Sequence, residues 1–470
     1  MVYNNNNTVS GIKIAYIGGG SRGWAWGLMS DLASCDDISG DVYLYDIDME
    51  AAKNNEVIGN KFNNAEGAKS VWNYHASETI EEALTGANFV VISILPGTFD
   101  EMESDVHLPE KYGIYQSVGD TSGPGGIVRA MRTIPMYEHI ALKIKENCPD
   151  AWVINYTNPM TLCVKTLYRV FPEIKAFGCC HEVFGTQKFL ARMVEETFGE
   201  KDVYRGDIKV NPLGINHFTW VTKATWKNID LYPYYKEFVE KHKDGYQTYE
   251  GVDANWMNSS FRSNEKVKMD LFMKYGVIAA AGDRHLAEFC EGKWYLASPE
   301  RVREMHFGLT TVEWRKNDLK NNRLAKCARL VSGEEDVKIK GTGEEGVNQI
   351  RALLGICDLV TNVNIPNQGQ IPNLPLGAVV ETNAVFRANS LEPVFAGPIP
   401  AQIYPLIARI AGEQEMVSEG IAERDLNKIF MAFANDPLVT CTQAEAKELF
   451  KQMVENTKEY LTMYDLTTLA

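Results

Sequence analysis

A group of residues able to bind a metal or move a proton occurs at Cys179-Cys180-His181-Glu182. Thiolate and imidazole groups are good ligands for transition-metal ions, and a neighbouring carboxylate can orient a ring or accept a proton. The group follows a short apolar stretch, 173–177, and precedes a helical pattern, so backbone N–H groups are also available at this strand-to-helix corner. A lone cysteine is more often a small buried hydrophobic residue. The other motifs of the chain decide between these alternatives.

A glycine-rich motif of the dinucleotide-binding type lies near the start of the chain. An apolar stretch, 13–17, leads into Gly18, Gly20, Ser21 and Gly23, which follow the pattern G-x-G-x-x-G, and a second predicted strand ends in Asp46. Such glycines allow a pyrophosphate to approach the start of the following helix, and the acidic residue can bind the ribose hydroxyls. Because Asp46 would repel a 2′-phosphate, we predict bound NAD rather than NADP. The alternative is a purely structural glycine-rich turn.

Strands and helices alternate through the first part of the chain. Strands predicted at 88–95 and 152–155 end in polar turns, and the second of these turns carries Asn158. The carboxyl ends of parallel strands meet at one edge of a sheet, so we expect Asn158 to lie near Cys180. A loop rich in glycine, 118–126, carries Asp120 and precedes a long predicted helix; it is either an exposed turn or a close approach to a ligand. The pattern predicts an α/β fold with a Rossmann-type, doubly wound nucleotide-binding domain over residues 1–200.

The pattern changes after about residue 200. Short antiparallel strands surround His217, and Asp283, Arg284 and His285 follow one another farther along. We predict a C-terminal α+β domain with a fold like that of the lactate and malate dehydrogenases, residues 201–470, which here binds substrate and metal and forms the oligomer. Asp283 could equally be a helix cap, and Arg284 a surface ion pair.

Composition narrows the functional class. The 470 residues include 47 Lys and Arg against 62 Asp and Glu, a net charge of −15, which argues against a nucleic-acid partner. The nine cysteines form no C-x-x-C pair, and the chain has neither a signal-peptide pattern nor a membrane-length apolar run. We expect a cytoplasmic protein without membrane or nucleic-acid partners, working as a homodimer or homotetramer.

Taken together, the motifs resemble those of the NAD- and metal-dependent glycosidases of glycoside hydrolase family 4. The resemblance covers almost the whole chain and rests on GGGS with Asp46, then GDTSGPGG, NYTNP, CCHEV, GINHF, GDRH and IPNLP. It implies that Cys180 and His217 bind a divalent metal, commonly Mn²⁺, and that Asn158 contacts substrate nearby. The letters CHEV, which begin at Cys180, are similar to those of the α-galacturonidase subgroup, which implies short α-linked galacturonides as substrates.

The resemblance also implies an unusual mechanism of hydrolysis. Bound NAD oxidises C3 of the sugar, a base removes the acidified C2 proton, the glycosidic bond breaks by elimination, and water adds before the ketone is reduced again. No net oxidation or reduction occurs. The alternatives are an α-glucuronidase or α-galactosidase of the same family, an NAD-dependent dehydrogenase of sugar acids, or an NAD-binding sensor without activity.

Roles for individual residues remain open at this point. His181 or Asp120 is the candidate acid, and Asp283 is preferred over Tyr275 as the base. Arg284 is the candidate partner of the uronate carboxylate, because a guanidinium can bind it through two hydrogen bonds.

Two further residues have candidate supporting roles. His285 is placed with the substrate-binding residues. Glu182 could orient His181 or hold Arg284 from behind.

Overall fold

The computed structural model of the protein describes residues 1–4, 7–246, 263–309 and 311–469. Part of the segment 232–275, which the sequence predicts as helical, lies outside the described residues. The strands of the first half are β1 (Val2–Tyr3), β2 (Val9–Ile17), β3 (Ile38–Tyr45), β4 (Trp72–Ser77), β5 (Phe89–Ile92), β6 (Trp152–Asn155) and β7 (Lys175–Gly178).

Six of these strands form the parallel centre of the main sheet. Their order is β4-β3-β2-β5-β6-β7, and every neighbouring pair is parallel. This is the strand order of a dinucleotide-binding Rossmann fold, so the predicted fold class is confirmed. In β2, Ile14 and Tyr16 pack into one apolar core while Ala15 and Ile17 pack into another on the opposite face. The sheet is therefore covered on both sides, as near-continuous apolar strands require.

Seven helices of the first half connect these strands and cover the sheet. They are α1 (Trp24–Ala33), α2 (Met49–Lys61), α3 (Ile80–Leu84), α4 (Phe99–His107), α5 (Gly123–Asn147), α6 (Met160–Val170) and α7 (Glu182–Phe198). Two of these helices begin next to candidate site residues at one edge of the sheet. α1 begins directly after the glycine motif, and α7 begins directly after the Cys-Cys-His sequence.

The second half of the chain adds strands to two sheets. They are β8 (Ile208–Leu213), β9 (Trp220–Trp226), β10 (Ile229–Asp230), β11 (Ile278–Ala279), β12 (Leu359–Pro366), β13 (Val379–Arg387) and β14 (Ser390–Pro393). Strands β8 to β11 form a separate antiparallel sheet, whereas β12 pairs with β7 through Asn364 and Gly178 and extends the main sheet. A strand of the predicted second domain, β12, therefore belongs to the sheet of the predicted first domain. The division at residue 200 stays a prediction.

Helices of the second half pack mainly around a core shared with the first. They are α8 (Tyr232–Lys241), α9 (Lys266–Tyr275), α10 (Asp283–Glu288), α11 (Gly292–Tyr295), α12 (Pro299–Glu304), α13 (Val312–Asp318), α14 (Ala325–Ser332), α15 (Gly346–Leu353), α16 (Tyr404–Glu423), α17 (Leu426–Asn435) and α18 (Gln443–Asn456). Val128 and Met131 of α5 belong to the same apolar cluster as Phe433 of α17 and Phe450 of α18. Among the helices of the described ranges, none is long and apolar enough to cross a bilayer.

Candidate active site

The loop between β2 and α1, called here the nucleotide loop, is shaped by glycines. Gly18 has φ +89°, and a Cβ atom there would lie 2.0 Å from the carbonyl oxygen of Ser93. Of the residues that the structure describes, none caps α1 through its side chain, and the first turn of α1 holds no acidic residue. The exposed N–H groups and the positive end of this ten-residue helix therefore fit the pyrophosphate of a dinucleotide.

Asp46 follows β3 and lies beside the nucleotide loop. Its two carboxylate oxygens accept hydrogen bonds from the backbone N–H groups of Gly20 and Asp48, each over 2.9 Å. Burial raises the pKa of Asp46, and these two N–H groups oppose the rise. A carboxylate oxygen has more than one acceptor site, so Asp46 can still accept from ribose hydroxyls. Loop, helix and carboxylate together fit a bound NAD molecule.

A second group of polar side chains comes together from three distant parts of the chain. Asp120, His217 and His285 each offer a ligand atom, and these atoms lie within 4.8 Å of one another. The two imidazole rings are 4.0 Å apart between their centroids. We call these three residues the donor group. One carboxylate and two imidazoles suit a divalent ion that accepts both oxygen and nitrogen ligands.

Thr121 determines which nitrogen of His217 can bind a metal. Its hydroxyl donates to Asp120 Oδ1 over 2.7 Å and also lies 3.1 Å from His217 Nδ1. Since a hydroxyl has only one proton, Nδ1 must carry a proton and donate it to Thr121, which leaves the lone pair on Nε2. Burial and the neighbouring His285 lower the pKa of His217 to about 3, so the ring is neutral, as a metal ligand must be. His217 also has φ +149°, a strained conformation of the kind found at functional sites.

Buried polar atoms without partners lie around the two histidines. Within the described ranges, no hydrogen bond reaches Nδ1 of His285, Oδ1 of Asn158 or the side-chain amide of Asn216. The amide of Asn158 donates to Asp120 Oδ2 over 3.2 Å, which brings this residue to the donor group. Buried polar groups are normally paired, so these atoms fit a metal ion and a hydroxyl-rich ligand that would satisfy them.

Cys180 is buried next to the donor group but is not part of it among the described residues. Burial, then the nearby carboxylates of Glu381 and Glu182, raise the pKa of its thiol. A divalent ion close to the sulfur would reverse this effect and favour the thiolate. The role of Cys180 as a metal ligand therefore stays a prediction. Cys179 packs in the apolar core beneath the sheet.

His181 lies between the nucleotide loop and the donor group. It is the residue before the first turn of α7, and about half of its side chain, 51%, is exposed. Its ring is 6.1 Å from the ring of Trp24, the first residue of α1. Nδ1 of His181 lies 3.2 Å from Glu344 Oε1, and this carboxylate raises the pKa of His181. A histidine held in its protonated form at this place could donate a proton to a leaving group.

Glu182 lies between two histidines. One carboxylate oxygen accepts from the N–H of Gly282 over 2.6 Å, and the other is 3.7 Å from Nε2 of both His181 and His285. Burial opposes ionisation, but His285 and His181 outweigh it and lower the pKa of Glu182 to about 2. These contacts agree with the first of the two predicted roles, the orientation of His181.

Arg284 is half-buried and donates hydrogen bonds to two backbone carbonyls. Nε donates to the carbonyl of Gly308 over 3.1 Å, and Nη2 donates to the carbonyl of Ser117. Burial lowers the pKa of Arg284 to about 10, and the nearby cation Arg315 adds to this. These hydrogen bonds do not test the predicted contact between Arg284 and a substrate carboxylate, which stays a prediction.

The contacts given for the two candidate bases, Asp283 and Tyr275, are with residues outside the donor group. Asp283 Oδ1 accepts from the backbone N–H of Lys268 over 3.0 Å, and burial, then the negative charge of Glu265, raise its pKa to about 7. Residues two apart on a helix point about 200° away from each other, so Asp283 and His285 face different sides of α10. Tyr275 lines a separate surface pocket with Trp294. These contacts do not favour either residue as the base, and that assignment stays a prediction.

Three residues at this site escaped the sequence analysis. Thr121 holds His217, Glu344 holds His181, and Glu288 accepts hydrogen bonds from the loop that carries Asp120. Thr121 could have been found as the neighbour of Asp120 in the glycine loop. Nothing in the sequence links Glu344 to His181, because the chain brings them together only through its tertiary fold.

The Rossmann-type sheet, its nucleotide loop and the adjoining donor group define this chain as a dinucleotide-binding enzyme with a second, metal-binding site. The family model for family 4 glycosyl hydrolases matches residues 13–196, and the model for the C-terminal domain of that family matches residues 213–439. The chain belongs to glycosyl hydrolase family 4, as the sequence predicted.

Individual relatives extend this result. The α-galacturonidase of Thermoanaerobacterium saccharolyticum is 63% identical over 96% of this chain and 97% of its own. A crystal structure from Bacillus subtilis, described as a candidate glucosidase, is 51% identical, with a TM-score of 0.89 over 95% of this chain and all of that one. A 6-phospho-α-glucosidase from gut microorganisms, solved with NAD and Mn²⁺, is 18% identical, covers 96% of this chain and 99% of its own, and has the same fold, with a TM-score of 0.79.

Proposed function

We propose that this protein hydrolyses short α-linked galacturonides with the help of bound NAD and a divalent metal such as Mn²⁺. The observation that carries this proposal is the position of His181, between a nucleotide loop and a group of metal donors. Family membership supports the glycosidase activity. The full-length similarity to an α-galacturonidase supports the substrate.

The cofactor sites use residues already described. We assign NAD to Gly18, Gly20, Ser21, Gly23 and Asp46, because the glycines follow the dinucleotide-binding spacing before α1 and Asp46 accepts from the N–H of Gly20. When bound, NAD supplies hydride exchange at C3 of the sugar and the metal supplies acidification of the hydrogen at C2, so the reaction needs no net oxidation.

The metal site is assigned to Cys180 and His217, with Asp120 and His285 beside them. His217 belongs both to the predicted pair and to the donor group, and its Nε2 atom carries the lone pair. Asn158 is assigned to the substrate, because it donates to Asp120 and has an unpaired carbonyl oxygen among the described residues.

His181 is a better candidate acid than Asp120. Although burial acts against it, His285 and Arg129 lower the pKa of Asp120, so this carboxylate has no proton to give near neutral pH. Glu344 raises the pKa of His181 and so keeps its proton available for the glycosidic oxygen. For the C2 proton we retain Asp283, with Tyr275 as the alternative. Asp283 would first have to exchange its contact with Lys268 for one with the sugar.

A cationic surrounding supports an acidic sugar as the substrate. Arg315 is close enough to Arg284 to lower its pKa, and both arginines are near Asp120. A guanidinium group binds a carboxylate through paired hydrogen bonds, so these two arginines favour an anion such as a uronate carboxylate. We assign this carboxylate to Arg284, with His285 on the neighbouring position of α10 and Arg315 adding positive potential.

A substrate panel tests the proposal. Purified protein with NAD⁺, Mn²⁺ and a reducing agent should release p-nitrophenol from the α-galacturonide much faster than from the α-glucuronide or the α-galactoside. The absorbance of NADH should stay constant during turnover, because the cofactor is regenerated in each cycle. Preference for another glycoside would change the substrate assignment, and steady NADH formation would favour a dehydrogenase.

Two wider assignments are proposals as well. The nine cysteines form no disulfides with one another, which suits a reducing cytoplasm. We also propose a homodimer or homotetramer, to be tested by light scattering of the purified protein.

A further inference from the structure

The loop that carries Asp120 is tied to helix α10, which carries His285. Residues Ser117, Val118 and Gly119 form the tied segment, and α10 contributes residues from both of its ends. Ser117 Oγ donates to the carbonyl of Arg284 over 2.6 Å, and Arg284 Nη2 donates back to the carbonyl of Ser117. This reciprocal pair fastens the start of the segment to the first turn of α10.

Glu288 fastens the other end of the segment. Its Oε1 atom accepts from the N–H of Val118 over 2.7 Å and from the N–H of Gly119 over 3.0 Å. Glu288 has no exposed surface, so water does not compete for these N–H groups. Arg284 and Glu288 are four residues apart and therefore lie on one face of α10. The next residue after the fastened segment is Asp120.

The carboxyl group of Glu288 thus helps to fix the position of Asp120 relative to His285. It is not hydrogen-bonded to either of these two residues among those described. Gly119 has φ +66°, and a Cβ atom there would lie 2.8 Å from a methyl carbon of Val106, so the loop cannot easily take another path. If Oε1 of Glu288 were removed, two adjacent buried N–H groups would lose their acceptor, and the loop would have to move to find new ones.

We propose that Glu288 is a positioning residue that sets the spacing of Asp120 and His285 and thereby the affinity of the donor group for its metal ion. This inference rests on the proposed metal site. Among the residues that the structure describes, Glu288 forms hydrogen bonds only with the backbone of the loop, so its role is to position Asp120 rather than to react. Residues behind metal ligands commonly change metal affinity by 10- to 100-fold when they are replaced.

The test is Mn²⁺ binding to the purified full-length protein, followed through the electron paramagnetic resonance signal of free Mn²⁺. Glu288→Leu removes the acceptor, and Glu288→Asp shortens the side chain so that it cannot reach both N–H groups. Glu288→Gln keeps an oxygen in the same place. Burial raises the pKa of Glu288 to about 8, so the neutral glutamine side chain also matches the protonated form of the native residue. NAD⁺ affinity and melting temperature are measured on the same samples.

A matched control removes the same kind of contact elsewhere. Asp425 Oδ1 accepts from the N–H groups of Asn427 and Lys428 at the start of α17. Asp425→Leu should leave the Mn²⁺ dissociation constant unchanged.

The expected result is a dissociation constant for Mn²⁺ about 10- to 100-fold higher in Glu288→Leu, with Glu288→Asp intermediate, Glu288→Gln near wild type, and NAD⁺ affinity unchanged throughout. Wild-type affinity in both Glu288→Leu and Glu288→Asp would overturn the inference while leaving the metal site in place. Equal losses of Mn²⁺ and NAD⁺ affinity would also overturn it, since they would indicate general loosening. If wild-type protein itself bound no Mn²⁺, the proposed metal site would fail as well.

Discussion

The nucleotide loop and the donor group lie at neighbouring edges of one fold, yet they are built in opposite ways. The nucleotide side relies on backbone shape: glycines between 18 and 23 turn the chain, and a single carboxylate, Asp46, binds loop N–H groups. The donor group relies on side chains that alter one another, because His285 affects the pKa of both His217 and Asp120.

This difference predicts how each region responds when a single side chain is replaced. A site built from backbone geometry loses affinity for its own ligand when one side chain is removed, and its neighbours are little affected. A site built from mutually interacting charges changes as a unit, so one replacement alters ligand binding, proton positions and selectivity together. The predictions below set the two regions against each other, beginning with the largest expected effect.

The first prediction concerns His217, which belongs both to the predicted pair with Cys180 and to the donor group. In His217→Ala, kcat/KM for p-nitrophenyl α-galacturonide should fall by more than about 100-fold, because even residues behind metal ligands cost up to that much. The dissociation constant of NAD⁺, measured by calorimetry, should stay the same, since the nucleotide loop shares no hydrogen bond with His217 among the described residues. Substantial activity in this variant would remove His217 from the metal site.

The converse change is made at Asp46. Removing a charged hydrogen-bond partner of the ribose should weaken NAD⁺ binding by about 10- to 100-fold in Asp46→Ala, while Mn²⁺ binding stays at its wild-type value. Asp41→Ala is the control, because Asp41 lies on β3, the strand that leads to Asp46, but contacts His75 and Asn73 at the surface. Loss of Mn²⁺ binding in Asp46→Ala would show that the two regions are coupled.

These two predictions rest on unequal amounts of sequence information. The nucleotide loop and Asp46 lie within one short stretch and follow a known spacing, so the sequence was sufficient to predict both the fold and the cofactor. The thiol and imidazole types made the Cys180 region a candidate metal site, but the family resemblance was needed to pair Cys180 with His217. The base stays a prediction, because a one-dimensional motif cannot tell that Asp283 and His285 face different sides of α10.

Selectivity offers a smaller effect within the donor-group region. Arg315→Ala should lower the ratio of kcat/KM for galacturonide over galactoside by about tenfold, equivalent to about 1.4 kcal/mol, because part of the positive potential at the carboxylate disappears. Lys316→Ala on the same helix is the control, since Lys316 pairs with Asp100 and Glu103 at the surface. An unchanged ratio in Arg315→Ala would mean that the carboxylate binds elsewhere.

The smallest effect on ligand binding is expected from the support of the glycine loop, where the change is one of stability. Asp436 accepts from the N–H of Gly123 over 2.8 Å, and its carboxyl group is close enough to that of Glu413 to raise the pKa of Glu413. Burial raises the pKa of both carboxyl groups, that of Asp436 to about 6. Because the folded protein holds these protons more tightly than the unfolded chain, the stabilisation is complete below about pH 4 and is lost as the pH rises through about 6.

Glu413→Gln should reduce this pH dependence. The amide can donate to an ionised Asp436, so the fall in the free energy of unfolding between about pH 5 and 7 should shrink by on the order of 1–3 kcal/mol. Urea unfolding at both pH values measures the change. NAD⁺ affinity should be unaffected, and an identical pH dependence in wild type and variant would contradict the account of this pair.

The most direct test of the central claim follows the hydrogen at C2 of the sugar. When p-nitrophenyl α-galacturonide is hydrolysed in D₂O with NAD⁺ and Mn²⁺, the account predicts that the released galacturonate carries deuterium at C2 while the absorbance of NADH stays constant. Mass spectrometry and proton NMR of the product detect that deuterium. Product that keeps its original C2 hydrogen would contradict elimination, and with it the proposed use of NAD and metal together.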